Sequence, residues 1–206
     1  MRKPSLLTLL GTAVAVLSLA ASPATADVVS YTIDNSHSSV QFKIRHLLSK
    51  TSGQFGTYEG TFTLDPDKRD SVSIEGNIDV ASIDTRDEDR DKHLREADFF
   101  DVEKFPKITF KASELTDVND DRTKGKLNGS LTMHGVTKPV ILDVEWYGTT
   151  TDPWGNKKAG FAGFTTLNRK DFGIVWNKAL DAGGFVVGEE VEIEIQIEAN
   201  LVEAEE

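Results

Sequence analysis

From residue 29 onwards, apolar and polar residues alternate with a period of two along most of the chain. That period marks strands with one dry face and one wet face. Val29, Tyr31 and Ile33 alternate with Ser30 and Thr32. An Asn35-Ser36-His37 turn then leads into Val40, Phe42 and Ile44, set against Ser39, Gln41, Lys43 and Arg45. Ser52-Gly53 predicts the turn of a long hairpin over Asp34 to Leu64, returning through Phe62 and Leu64. Asp65-Pro66-Asp67 predicts another turn. Val72, Ile74, Ile78 and Val80 resume the alternation, with Gly76 on the apolar side predicting a bend. Further strands follow through Ile108, Phe110 and Ala112, then Leu127, Leu131 and Met133, then Val140, Leu142, Val144 and Trp146. Phe161, Gly163, Thr165 and Leu167 form the next face. The clearest strand is the last, where Val191, Ile193, Ile195, Ile197, Ala199 and Leu201 alternate with Glu190, Glu192, Glu194, Gln196, Glu198 and Asn200.

One stretch breaks the period. Residues 84–94 are highly charged and lack β-branched residues after Thr85. Asp84 or Thr85 can cap a helix there, with acidic residues in its first turn as the helix dipole favours. Asp87 to Asp101 is expected to form one or two short helices across one end of the sheet. Arg169 to Gly184 is rich in glycine and aromatics and reads as irregular.

The expected fold is therefore all-β, an eight-stranded antiparallel barrel in up-and-down order. Strands of ten residues or more, at ~3.3 Å per residue, span over ~30 Å and suit a tall barrel better than a compact sandwich. The apolar face should point inward. Turned outward, the barrel would sit in an outer membrane and pack the glutamate row of the last strand into a narrow lumen. Three Tyr and three Trp are also too few for two interfacial girdles. An interior of this size is either filled by side chains or holds one small ligand. The inward set mixes Phe42, Phe62, Phe110 and Trp146 with Gly76, Ala112 and Gly163. That mixture leaves both readings open: a hollow tube, or a packed, ligand-free barrel serving as a stress or scaffold protein through its acidic surface.

Arg2 and Lys3, the apolar run Leu6 to Ala21 and the small-x-small site Ala24-Thr25-Ala26 predict a cleaved export leader over residues 1–26. Residues 27–206 would be one domain. The absence of cysteine excludes a thiol enzyme, a thiolate metal site and disulfide stapling. The formal net charge is −11, and loss of Arg2 and Lys3 makes it two units more negative. That charge argues against nucleic acid as a partner.

Catalytic signatures are missing: there is no GxSxG elbow, no HExxH and no phosphate-cradling glycine loop. Asp87, Asp89 and Asp91 are spaced like the start of a calcium loop, but Lys92 stands where its glycine is needed. No enzyme activity, metal or cofactor is expected. His37, His93, His134 and Arg169 are the polar candidates for the rim of a cavity.

The chain resembles the YceI-like family of periplasmic polyisoprenoid-binding proteins over nearly all of residues 27–206. The residues that carry the resemblance are Ile33-Asp34, His37-Ser38, Val40-x-Phe42 and Arg45-His46-Leu47, then Gly53-x-Phe55, Gly60 and Ile83-Asp84-Thr85. It continues through Asp91-x-His93-Leu94, Asp98-Phe99-Phe100-Asp101 and Phe105-Pro106-x-Ile108-x-Phe110. Gly129-x-Leu131, His134-Gly135-Val136-Thr137-x-Pro139-Val140 and Arg169-x-Asp171-Phe172-Gly173-Ile174 complete it. The resemblance implies a lipocalin-like barrel in the periplasm, whose cavity holds a polyprenyl chain or an isoprenoid quinone as bound ligand. Phe42, Ile44, Phe62, Ile78, Phe99, Phe110, Met133, Trp146, Phe161 and Ile195 are the expected lining. Transient contact with the membrane for lipid exchange, and a homodimer, complete the expectation.

Overall fold

The structure is a computed structural model that describes residues 28–64, 72–181 and 183–203. The expected leader and the Asp65-Pro66-Asp67 turn lie outside the described residues. Eleven strand segments are present among these: β1 (Val29–Ile33), β2 (Ser39–His46), β3 (Ser49–Phe55), β4 (Tyr58–Leu64), β5 (Val72–Asp79), β6 (Ile83–Asp84), β7 (Lys107–Thr116), β8 (Lys124–Met133), β9 (Val136–Thr151), β10 (Lys157–Asn168) and β11 (Val187–Leu201). One helix, α1 (Glu88–Arg95), lies between β6 and β7.

The eleven segments make eight strands. β1 and β2 run end to end along β11, with Ile33 opposite Ala199 and Ser39 opposite Gln196. β4 pairs with β1 and β3 with β2, so β3 and β4 are halves of one strand. β5 pairs with β4 and β6 with β3, which makes them halves of the next. The remaining strands follow singly in order, all antiparallel, and β11 closes the ring against β1 and β2. This is the expected eight-stranded up-and-down barrel.

The breaks in the first three strands have local causes and lie side by side. Asp34 accepts hydrogen bonds from the Ser36 N–H (3.1 Å) and hydroxyl (2.6 Å), a side-chain turn that competes with the ladder. Asp79 accepts from the Ala81 N–H (3.0 Å) and caps a single 3₁₀ turn over Val80–Ser82. The Gly56 N–H donates to the Ser82 carbonyl (3.1 Å), and the Thr57 N–H to the Ser82 hydroxyl (3.0 Å). Asn35 Nδ2 reaches the Gly56 carbonyl at 3.4 Å, joining all three breaks.

Three local expectations are corrected. The first hairpin turns at Leu47-Leu48, not at Ser52-Gly53, which lie inside β3. Leu47 takes φ 48°, and Gly53 serves a different purpose: a Cβ there would stand 2.3 Å from the Phe42 ring. The charged stretch holds one short helix, as expected, but its cap is Asp87 and not Asp84 or Thr85: Asp87 accepts from the Arg90 N–H at 3.1 Å. β5 runs unbroken through Gly76, which faces Gly60, so the expected bend lies at Val80–Ser82 instead.

Apolar residues of the strands turn inward. At one end they meet and fill the barrel: Tyr31 stacks on Phe62 (4.9 Å between centroids), and Phe161 packs edge-on against Phe62 at 5.4 Å. Ala159, Ile197 and Ala199 are buried in the same cluster. The outer face is polar. Lys50 pairs with Glu192, Lys111 with Glu75 and Lys124 with Glu145. No helix among the described residues is long and apolar enough to cross a membrane.

α1 closes over the opposite end. Its buried Asp91 accepts from both the N–H (2.9 Å) and the hydroxyl (2.5 Å) of Thr85. Arg95 donates to the carbonyls of Ala81 and Ile83, each at 2.9 Å. These bonds satisfy carbonyls at the last strand break and fix the helix on the rim.

Candidate functional site: an apolar cavity with a polar end

Above the Tyr31–Phe62–Phe161 plug the barrel is hollow. The cavity has a volume of about 570 Å³, within the ~300–1,000 Å³ typical of ligand pockets. Phe161 and Ile197 lie at its floor. Its walls are lined by Phe42, Ile44, Ile78, Phe110, Met133 and Ile195, and Phe99 lies at the α1 end. Small residues make room for the large ones. The Phe42 ring lies over Gly53 and the Phe110 ring over Gly129, where a Cβ would come within 2.5 Å of the ring. These two rings thus reach across to glycines on the neighbouring strands, into space that a Cβ would fill.

Two expected lining residues lie elsewhere. Phe62 is buried in the plug, stacked against Tyr31. Trp146 packs on the same cluster at the filled end. Both belong to the inward face but sit below the hollow part, and strand alternation carries no information about height.

The polar candidates separate in the same way. His93 and Arg169 border the cavity. His134 does not: its Nδ1 lies 3.1 Å from the Phe172 carbonyl and its ring packs on Phe105 at 4.7 Å. With φ 50° it forms the β8–β9 turn together with Gly135. His37 is on the outer surface at the first strand break, 3.1 Å from Asp34.

Asp34, His37 and Glu198 group closely enough to suggest a cation site, but an ammonium already serves them. Lys158 Nζ is 2.9 Å from Asp34 Oδ2 and 3.2 Å from Glu198 Oε1. Hydrogen bonds from Ser36, then Lys158 and His37, hold the Asp34 carboxyl far below the usual carboxylate range. The same pair raises the Lys158 ammonium. This cluster fastens the first strand break to β10 and β11. A second group, His93, Glu96 and Asp98, is likewise structural: His93 Nε2 bonds Asp98 at 2.9 Å.

At the α1 end the character of the lining changes. His46, Thr85, Asp89, Arg90, His93 and Arg169 border the cavity there. Gln41, Glu59 and Asn77 also border it, but they alternate with inward residues of β2, β4 and β5, so they present backbone rather than side chain. Arg90 donates from Nε to the Thr85 hydroxyl (2.7 Å) and from Nη2 to the Thr85 carbonyl (2.8 Å). His93 packs edge-on against Phe99 (4.9 Å) and Trp176 (5.2 Å), linking α1 to the 173–186 segment across the rim. Arg169, 4 % exposed, donates from Nε to the Gly188 carbonyl and from Nη1 to the Ile174 carbonyl, both at 2.8 Å. Burial pushes its pKa down. Trp176 and Arg90 escaped the sequence reading because nothing local marks them, and His46 was marked there only as part of the Arg45-His46-Leu47 motif, not as a rim residue. Their place depends on how the α1 and 173–186 segments fold over the rim.

Comparison with known proteins places this geometry. The YceI-like domain model matches residues 31–199. A UPF0312 protein of Vibrio cholerae is 41 % identical over 165 residues, covering 79 % of this chain and 86 % of the relative. One from Pectobacterium atrosepticum is 39 % identical over 175 residues, covering 84 % and 88 %. Among solved structures, a YceI protein of Campylobacter jejuni is 30 % identical, with a TM-score of 0.61, covering 79 % of this chain and 91 % of that one. Burkholderia cenocepacia BcnA shares the fold at 24 % identity and a TM-score of 0.69, covering 81 % and 98 %. A polyisoprenoid-binding domain from Saccharophagus degradans also shares it, at 14 % identity and a TM-score of 0.59, covering 84 % and 99 %.

Proposed function

The chain belongs to the YceI-like family, and from that premise we propose that it is a carrier for a long isoprenoid lipid, a polyprenyl chain or a quinone, held in the barrel cavity. The observation that carries this reading is the shape and lining of the interior: about 570 Å³, closed by aromatic rings at one end and bordered by polar groups at the other. A packed scaffold barrel would fill this space. The Saccharophagus domain of the same fold, described as polyisoprenoid-binding, supports the choice of ligand.

Energetics favour carriage over chemistry. Burying apolar carbon gains ~0.8 kcal/mol per CH₂ relative to water. A bilayer offers a similar gain, so the cavity competes with lipid and exchange is close to balanced. Such a protein works without a catalytic group, in the periplasm, after export through a cleaved leader. For exchange the polar end would approach the bilayer. The 174–187 segment gives Ile174, Trp176, Val186 and Val187 to the lining and leaves Val175 and Phe185 exposed beside the exposed Leu47 and Leu48. An apolar rim continuous with the lining suits shallow insertion.

Organic extraction of protein purified from its native host, followed by mass spectrometry, tests the reading. A prenyl lipid in near-stoichiometric amount is expected, and Phe42→Ser should lower it severalfold while leaving secretion intact. Repeated recovery of no lipid, or of unrelated lipids only, would overturn the reading.

A further inference from the structure

The cavity stops where aromatic rings fill the barrel, and that stop is built in layers. Phe161 is the ring that borders the hollow. Phe62 stands behind it, 2 % exposed and edge-on at 5.4 Å, and Tyr31 stacks on Phe62 at 4.9 Å. Buried Ala159 and Ala199 pack in the same cluster. A bulge lies at the same height: Phe161 pairs with Trp146 and Gly160 with Gly148, so Tyr147 is an extra residue on β9. A bulge re-aims the side chains around it. Tyr147 is left exposed, and Trp146 packs on the plug. A ring held at core density against its neighbours does not give way to a tail pressing on it. One layer above, the lining turns thin. Phe62 on β4 faces Ile74 on β5, and the next pair facing inward is Gly60 and Gly76. A Cβ at Gly76 would find only the Glu59 carbonyl within 4 Å, at 3.8 Å. The Phe110 ring, opposite Gly76 on β7, leans over Gly129 instead.

We propose, resting on the lipid-carrier reading, that Phe161 is a ruler: it sets the longest isoprenoid tail the protein carries, at about four to five C5 units. The hollow supplies the number. A cavity of ~150 Å³ holds one benzene, six carbons, which is about 25 Å³ per carbon. On that scale about 570 Å³ holds about 23 carbons. A tail of this size starts against Phe161 and finishes at the α1 end. Each carbon beyond it stays outside the hollow and loses the burial that a bilayer gives. Tails that fit therefore divide evenly between protein and bilayer, and longer ones stay in the bilayer. The six ring carbons of Phe161 fill roughly the space of one C5 unit, and the four side-chain carbons of a leucine at position 76 would fill nearly as much.

The test incubates delipidated protein with phosphatidylcholine vesicles that carry one all-trans prenol at a time, from C15 to C40 in steps of one C5 unit. The protein is then separated and its prenol measured by mass spectrometry. Uptake should hold level up to C20 or C25 and fall at least tenfold within the next two units. Phe161→Ala should move that break up by one unit, and Gly76→Leu should move it down by one. Level uptake through C40, or a break at any other length, overturns the ruler and leaves the carrier reading standing. So does a break left in place by either variant that folds as the wild type does. Uptake of no prenol at all removes the carrier reading itself. Gly76→Leu keeps the plug intact and extends into open space, so it decides the matter even if Phe161→Ala, which uncovers Phe62, folds poorly.

Discussion

Asp34 shows how much a single carboxylate can organise. It turns the first strand through Ser36, binds Lys158 on β10, and so ties the bend to the wall of the barrel. Because its folded pKa lies below the unfolded value of ~3.9, its stabilisation is complete above that value and is lost as pH falls through the folded one. Asp34→Asn should therefore cost about 1–2 kcal/mol near neutral pH, with the gap between variant and wild type closing as pH is lowered below ~4. Urea unfolding at several pH values measures this; a pH-independent gap would contradict the assignment. At this scale the sequence was legible where a residue acts on its neighbours, as Asp34 does on Ser36. It was not legible where the partner is distant. Phe42 over Gly53 and Phe110 over Gly129 depend on cross-strand neighbours, and those pairs decide whether an aromatic ring lines a cavity or fills it. The sequence could therefore not separate a hollow barrel from a packed one.

Among the elements, the strands were legible and their breaks were not. Alternation assigns Val40, Phe42 and Ile44 to the inner face whether or not β1 and β2 are separate, because each half keeps its own period. The breaks rest on short side-chain turns at Asp34 and Asp79, which resemble ordinary strand ends in sequence. α1 was legible as a charged interruption. Its role over the rim was not, since the Asp91–Thr85 and Arg95–Ile83 bonds belong to the tertiary structure. The loops beside it carry a prediction of their own. Leu48 is 97 % exposed and Phe185 is 58 % exposed. Leu48→Glu with Phe185→Glu should slow lipid transfer from vesicles severalfold, while the amount of lipid bound at equilibrium stays near that of the wild type. Stopped-flow transfer of a fluorescent prenyl lipid reads the rate. An unchanged rate would mean that the lipid enters without this rim touching the bilayer.

For the molecule as a whole, eight strands enclose more space than their inward side chains fill. The plug of Tyr31, Phe62 and Phe161 closes one end. The other end gathers α1, Trp176 and two arginines around the cavity border. An apolar tube with one polar end fixes the direction in which an amphiphile lies. The most direct measurement is a crystal structure of the protein purified with its native cargo, refined without any ligand. The account predicts continuous density with regularly spaced methyl branches, rising from Phe161 and Ile197 to the α1 end of the cavity. A cavity collapsed by inward movement of Phe42 and Phe110, or occupied by discrete water molecules, would contradict it.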